Sequence, residues 1–185
     1  VPWVDERGKV FRYLWEARGR GVKFDVGHGG GSFVFRNAVP AVQQGFYPDS
    51  ISTDLHTGSM NAGMMDLPTT MSKFLAMGMP LPEIIRAVTW TPATMINHPE
   101  LGHLGLGAAA DIAIWAIEEG SFGFKDASGG RLLGRQRFRC EMTLKDGKVV
   151  WDWNARAGVD YRKLPPDYGI RQGIEQIILP PARLK

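Results

Sequence analysis

Asp54 and His56 stand two positions apart in the run Ser50-Ile51-Ser52-Thr53-Asp54-Leu55-His56. In an extended strand that spacing puts both side chains on one face. A second run, Val22-Lys23-Phe24-Asp25-Val26-Gly27-His28, ends on a histidine and opens into Gly29-Gly30-Gly31. One carboxylate and two imidazoles gathered at two strand ends are a set that can move protons or ligate a divalent cation. The same residues also have ordinary explanations. A histidine beside glycine is commonly a loop residue, and an aspartate closing a strand is commonly a turn former or the cap of the next helix. The glycine run matches neither the dinucleotide nor the Walker pattern, so it predicts no phosphate loop.

The other reactive residue types point away from chemistry. His98 precedes Pro99 and His103 lies in a glycine-rich turn, which reads as two solvated loop positions. Arg131, Arg135, Arg137 and Arg139 read as one solvated strand face, with no stacking aromatics interleaved beyond Phe138. Met60, Met64, Met65, Met71, Met77 and Met79 read as adaptable packing around a loop and a helix. Cys140 is the only cysteine, which excludes an intrachain disulfide and the zinc classes that need two or four thiolates, and favours a reducing, cytoplasmic setting.

Several elements must position these groups. Val10, Phe11, Leu14, Trp15 and Ala17 fall on one helical stripe within residues 6–20, stopped by Gly19 and Gly21. The strand ending at His28 follows, then a helix over 35–44 disturbed by Pro40 and stopped at Gly45, then the strand ending at His56. Helix, strand, helix, strand with short connections is the rhythm of parallel βα units, whose ligand groups collect at the C-terminal ends of strands. Residues 67–78 predict a helix. Another begins at Pro82 with Glu83 at its positive end, and Thr91-Pro92 predicts a restart with Thr91 as cap. Beyond residue 97 the pattern turns to strands: Asp111–Ile117, then a hairpin of 138–144 and 149–153 around Asp146-Gly147. From Gly158 onward Pro165-Pro166 and Pro180-Pro181 flank little periodicity, as in an extended arm.

The whole composition is that of a folded protein. Of 185 residues 44% are hydrophobic, which excludes wholesale disorder, and 22 basic against 19 acidic residues leave a charge of +3, too small and dispersed to point to nucleic acid. No apolar run approaches the roughly 18 residues of a membrane span. The first residues, Val1-Pro2-Trp3-Val4, lack signal-peptide grammar and an initiator methionine, which fits a piece of a longer protein.

Taken together, the segments produce a resemblance that none carries singly. Phe24–Gly29 and Gly45–His56, followed by Ile85–Ala93, Leu101–Gly105 and Gly107–Ala113, resemble the C-terminal portion of the amidohydrolase superfamily, in its dihydroorotase-like amidohydrolase/deacetylase branch. The hairpin ending Gly147-Lys148-Val149-Val150-Trp151 is similar to that portion's last strands, and the likeness covers roughly residues 8–153. It implies an α/β fold comprising the last two strands and helices of a (β/α)₈ TIM barrel (residues 1–97), strands of a small β-sandwich (98–157) and a C-terminal arm (158–185). It further implies a metal-dependent hydrolase that cleaves the C–N bond of a small N-acyl or cyclic amide substrate with metal-activated water.

By the same resemblance Asp54 is the catalytic carboxylate and a metal ligand, taking a proton from the attacking water and returning it to the leaving amine. His28 is implied to contact substrate, with Gly29, Gly30 and Gly31 letting the backbone come close, and His56 to support Asp54 from behind. The implied cofactor is a divalent metal, zinc, as one or two ions, and the complete enzyme is expected to be a homo-oligomer without nucleic-acid or membrane partners. The departure from the family is by omission. Its His-x-His pair and its remaining metal ligands are absent, and a barrel takes about 250 residues. The expectation is a C-terminal fragment, inactive without the missing N-terminal part. The alternative is a non-catalytic binding or structural module that keeps the fold elements.

Overall fold

The computed structural model describes residues 2–60 and 66–169. Met64 and Met65, and the part of the expected arm from residue 170, lie outside the described residues. The chain is α/β, with elements in the order α1 (Arg12–Gly19), β1 (Asp25–Gly27), α2 (Phe35–Gln43), β2 (Ser50–Ser52), α3 (Leu67–Ala76), α4 (Leu81–Val88), α5 (Trp90–Met95), β3 (Ile112–Lys125), β4 (Arg131–Lys145) and β5 (Lys148–Asp152). They divide into two compact units: residues 1–108 with 116–139, and residues 109–115 with the chain from Cys140.

The first unit is built on a parallel pair. β1 and β2 align Asp25 with Ser50, Val26 with Ile51 and Gly27 with Ser52, with α2 as the connection between them. Asp25 Oδ1 accepts from Ser50 Oγ at 2.5 Å, which fixes the register at the N-terminal end of the pair. The backbone ladder runs on past the strands, from His28 N to Ser52 O at 3.3 Å and from Gly29 N to Thr53 O at 2.9 Å. That extension carries the pairing up to the residues of interest.

Phe46, fully buried, anchors the packing beneath. Trp15, Phe24 and Trp3 meet its ring edge-on at centroid distances of 4.8, 5.1 and 5.5 Å, and the Arg18 guanidinium lies 3.9 Å over it. Val4, Val10 and Ala41 complete this cluster. Gly45, at φ +78°, ends α2 as expected and lets Phe46 N reach Ala41 O at 2.9 Å.

Two helix starts differ from expectation. α1 begins at Arg12 and not near residue 6, because Asp5 Oδ1 accepts from Arg7 N and Lys9 N in a tight turn completed by Gly8 at φ +76°. The restart after α4 is at Trp90 with Thr89, not Thr91, at the boundary. The Thr89 hydroxyl bonds back to Ile85 O at 2.8 Å, so no side chain caps α5. α3 is capped by Asp66, which accepts from Thr69 N at 2.8 Å, and buries Thr70 through Phe74. Met71, Met77 and Met79 are core residues.

β3, β4 and β5 are neighbours in that order in a three-stranded sheet. β3 continues eight residues beyond the apolar run ending at Ile117, and β4 starts seven residues before Phe138. Within the first unit, Glu118 of β3 ties Arg137 and Arg139 of β4 at 2.6 and 2.5 Å, so two of the four clustered arginines are paired across strands. In the second unit, β4 and β5 form the expected antiparallel hairpin, with Asp146 at φ +50° and Gly147 at φ +73° in its turn. No helix among the described residues is long and apolar enough to cross a membrane.

Candidate active site

The C-terminal ends of β1 and β2 lie side by side, so the two loops that follow must share space. Asp54 takes φ +48°, a left-handed conformation that aspartate tolerates better than most residues. Gly29 takes φ +53°, and a Cβ built there would stand 2.5 Å from Asp54 Oδ2. Glycine leaves the carboxylate room where it stands, and a side chain there would push it aside. A Cβ on Gly30 would come within 3.3 Å of Gly58 O, whereas one on Gly31 would meet nothing within 4 Å. A Cβ at Gly29 would thus displace the carboxylate, one at Gly30 would press only lightly on the Gly58 carbonyl, and one at Gly31 would be free.

Asp54 is exposed, and among the described residues nothing donates a hydrogen bond to its carboxylate. Its backbone is held instead. The buried Ser59 hydroxyl lies 3.1 Å from Asp54 O and also accepts from His56 N at 2.9 Å. His56 is exposed, and its Nδ1 accepts from Gly58 N at 3.1 Å. The link from His56 to Asp54 therefore runs through Ser59 and the loop backbone, not from imidazole to carboxylate.

His28 is fully buried. Its ring stacks on Phe33 at 4.6 Å; Nδ1 lies 2.8 Å from Gly29 O and Nε2 lies 2.8 Å from Lys73 Nζ. The family resemblance implies contact with substrate for His28; in this structure both ring nitrogens have partners within the chain. Burial, reinforced by the Lys73 charge, holds the imidazole below its usual pKa, although the Gly29 carbonyl works the other way.

Lys73, also fully buried, brings α3 into this arrangement and donates to Lys125 O at 2.7 Å. Burial brings its pKa down to about 8, against the attraction of Asp126. Asp126, 3% exposed, accepts from Phe35 N at 2.9 Å at the start of α2 and from Ser128 N and Gly130 N in its own turn. The turn between β3 and β4 thereby grips the loop after β1, and Ala127 N bonds Phe33 O at 2.9 Å. Sequence reasoning passed over Lys73 and Asp126. A lysine between Met71 and Phe74, inside the stripe that the helix buries, was the available signal for the first; nothing local marked the second.

The other candidates are solvated, as expected: His98 pairs with Glu100 at 2.8 Å and His103 accepts from Gly105 N at 3.0 Å, both exposed. Among the described residues no three His, Cys, Asp or Glu side chains gather into a group able to hold a metal ion. A cleft of about 240 Å³ between β1 and α2, walled by Val26, Phe33, Ala41, Val42, Phe46 and Phe74, contains neither Asp54 nor His28 and is chiefly apolar packing space.

Known proteins share this arrangement of elements. A deacetylase of Brucella anthropi is 41% identical over 126 residues, which are 68% of this chain and 31% of that protein. The crystal structure of an adenine deaminase superposes with a TM-score of 0.76 at 34% identity, covering 81% of this chain and 41% of the other. That of a dihydroorotase superposes at 0.68 with 35% identity, covering 74% and 38%. The chain thus spans about a third of the length of the curated relative. Residues 34–150, well over half of the sequence, match the model of the amidohydrolase family. With Asp54 and its glycine loop at the ends of a parallel strand pair, and this likeness in both sequence and shape, the chain belongs to the amidohydrolase family.

Proposed function

We propose that this chain is the C-terminal part of a metal-dependent amidohydrolase that hydrolyses the C–N bond of a small N-acyl or cyclic amide substrate, and that it is inactive alone. In this proposal residues 1–97 supply the last two strands and helices of a TIM barrel, 98–157 supply strands of a β-sandwich, and 158–185 form an arm. The observation that carries it is the placement of Asp54: an exposed carboxylate that accepts no hydrogen bond among the described residues, just past the end of a parallel strand, against a glycine whose bare α-carbon leaves it room.

Such a carboxylate fits a divalent cation, zinc by family, as one hard oxygen ligand. A single ligand does not make a metal site, and the remaining ligands would come from the N-terminal part. When bound, the cation would lower the pKa of a water toward neutrality. The chain's own contribution is proton movement and placement. An Asp54 oxygen takes the proton of the attacking water and delivers it to the leaving nitrogen. Gly29 and Gly30 form the wall along which the amide lies, His28 orients substrate by fixing that wall from behind, and His56 steadies the Asp54 loop through Ser59.

The test is Asp54→Asn in the complete enzyme, with metal content measured alongside turnover. Loss of about 100- to 10,000-fold in kcat, the range of general acid–base catalysis, is expected. Turnover near that of the parent enzyme would remove Asp54 from the chemistry.

A further inference from the structure

Lys73 is a cation enclosed by protein, donating from α3 to a histidine 45 residues away and to a carbonyl at the tip of β3. A buried ammonium of this kind costs stability unless it is well paired, so its retention in a helix stripe needs a reason. Its direction of donation supplies one. An ammonium has only donors, so His28 Nε2 must accept, which leaves the ring proton on Nδ1. Nδ1 faces Gly29 O at 2.8 Å and donates to it. Gly29 in turn is the residue whose α-carbon admits the Asp54 carboxylate.

We propose that Lys73 is a positioning residue for the Asp54 carboxylate, acting by locking His28 as its Nδ1–H tautomer so that the imidazole clamps the carbonyl of Gly29. The proposal rests on the reading of Asp54 as the reactive carboxylate. The β3–β4 turn forms the other jaw. Lys125 O receives Lys73, Asp126 holds the first N–H of α2, and Ala127 N holds Phe33 O, so the glycine loop is gripped at both ends. Replacing Lys73 with an apolar residue frees Nε2, allows the ring to carry its proton there, and releases the Gly29 carbonyl.

The experiment uses the complete enzyme with ¹⁵N-labelled histidine. In the parent protein His28 should show the neutral Nδ1–H tautomer near pH 7; an Nε2–H tautomer or an imidazolium there would overturn the proposal without any variant. Lys73→Met should convert the ring to a mixture or to the Nε2–H form and lower kcat by about 100-fold, as expected for a misplacement near 1 Å, with KM changed far less. In a His28→Ala background the same substitution should add no further loss. An unaltered tautomer and unaltered kcat in a folded Lys73→Met protein would overturn the role of Lys73. If Asp54→Asn also retained turnover, it is the reading of Asp54 that fails, and the tautomer signal would still report on the clamp.

Discussion

Replacing Gly29 with alanine tests the geometry of the site in one atom. The added methyl would stand 2.5 Å from Asp54 Oδ2, about 0.9 Å short of the 3.4 Å at which ordinary contact begins. The backbone cannot yield easily, because Gly29 N is tied to Thr53 O at 2.9 Å and Gly29 O to His28. The carboxylate, exposed and without donors among the described residues, is the part that moves. Alanine at φ +53° adds strain of about 1–2 kcal/mol. Displacing the carboxylate by nearly 1 Å costs about 100-fold in rate, or about 3 kcal/mol of barrier. The complete enzyme carrying Gly29→Ala should therefore lose about two decades of kcat with a modest fall in melting temperature. Gly31→Ala, where a Cβ meets nothing within 4 Å, should leave kcat unchanged. Equal kcat in the two variants would refute the close approach of Gly29 to Asp54.

Three further outcomes are expected. Lys73 is held at about 8 in the folded chain against an ordinary 10.5, so the unfolded chain binds more protons between those values and stability should rise with pH across that window, by about 3 kcal/mol at most. His28, held below its ordinary 6.5, makes stability fall as pH drops below about 6.5. Denaturant titrations across pH check both, and a stability that instead declined from pH 8 to 10, in step with Lys73→Met, would contradict the burial of that ammonium. Asp126→Ala strips the acceptor from three backbone N–H groups and should destabilise by about 1–3 kcal/mol; a melt within error of the parent would show that the turn does not need it. Phe46→Ala empties the centre of the aromatic cluster and should cost about 3–5 kcal/mol by equilibrium unfolding, a cost under 1 kcal/mol arguing that the cluster is loosely packed.

Much of this arrangement was readable because it is local. The parallel pair follows from strand–helix–strand spacing, the stop at Gly45 from a residue that accepts positive φ, and the β4–β5 turn from Asp146-Gly147. Asp54 drew notice from its place near a strand end, and its proposed role from the family resemblance of its segment. What escaped depends on partners distant in sequence. Lys73 sits in the stripe that α3 buries, but its task shows only once its neighbour across 45 residues is known, and Asp126 holds the start of a helix 91 residues earlier. The extent of β3 and β4 was hidden for another reason. Gly120, Gly123 and Gly134 interrupt the alternation, and cross-strand contacts such as Glu118 with Arg137 hold the strands where propensity does not.

The grip of the β3–β4 turn on the start of α2 also sets an order of events during synthesis. The first amide of that helix waits for an acceptor that leaves the ribosome 91 residues later. Closing so large a loop is entropically slow, so the helix's first turn and the glycine segment before it should acquire amide protection only after the chain has emerged past residue 130, later than the aromatic cluster around Phe46. A ribosome-stalled chain ending near residue 110 would already hold its parallel pair while the segment that lies against Asp54 still fluctuated.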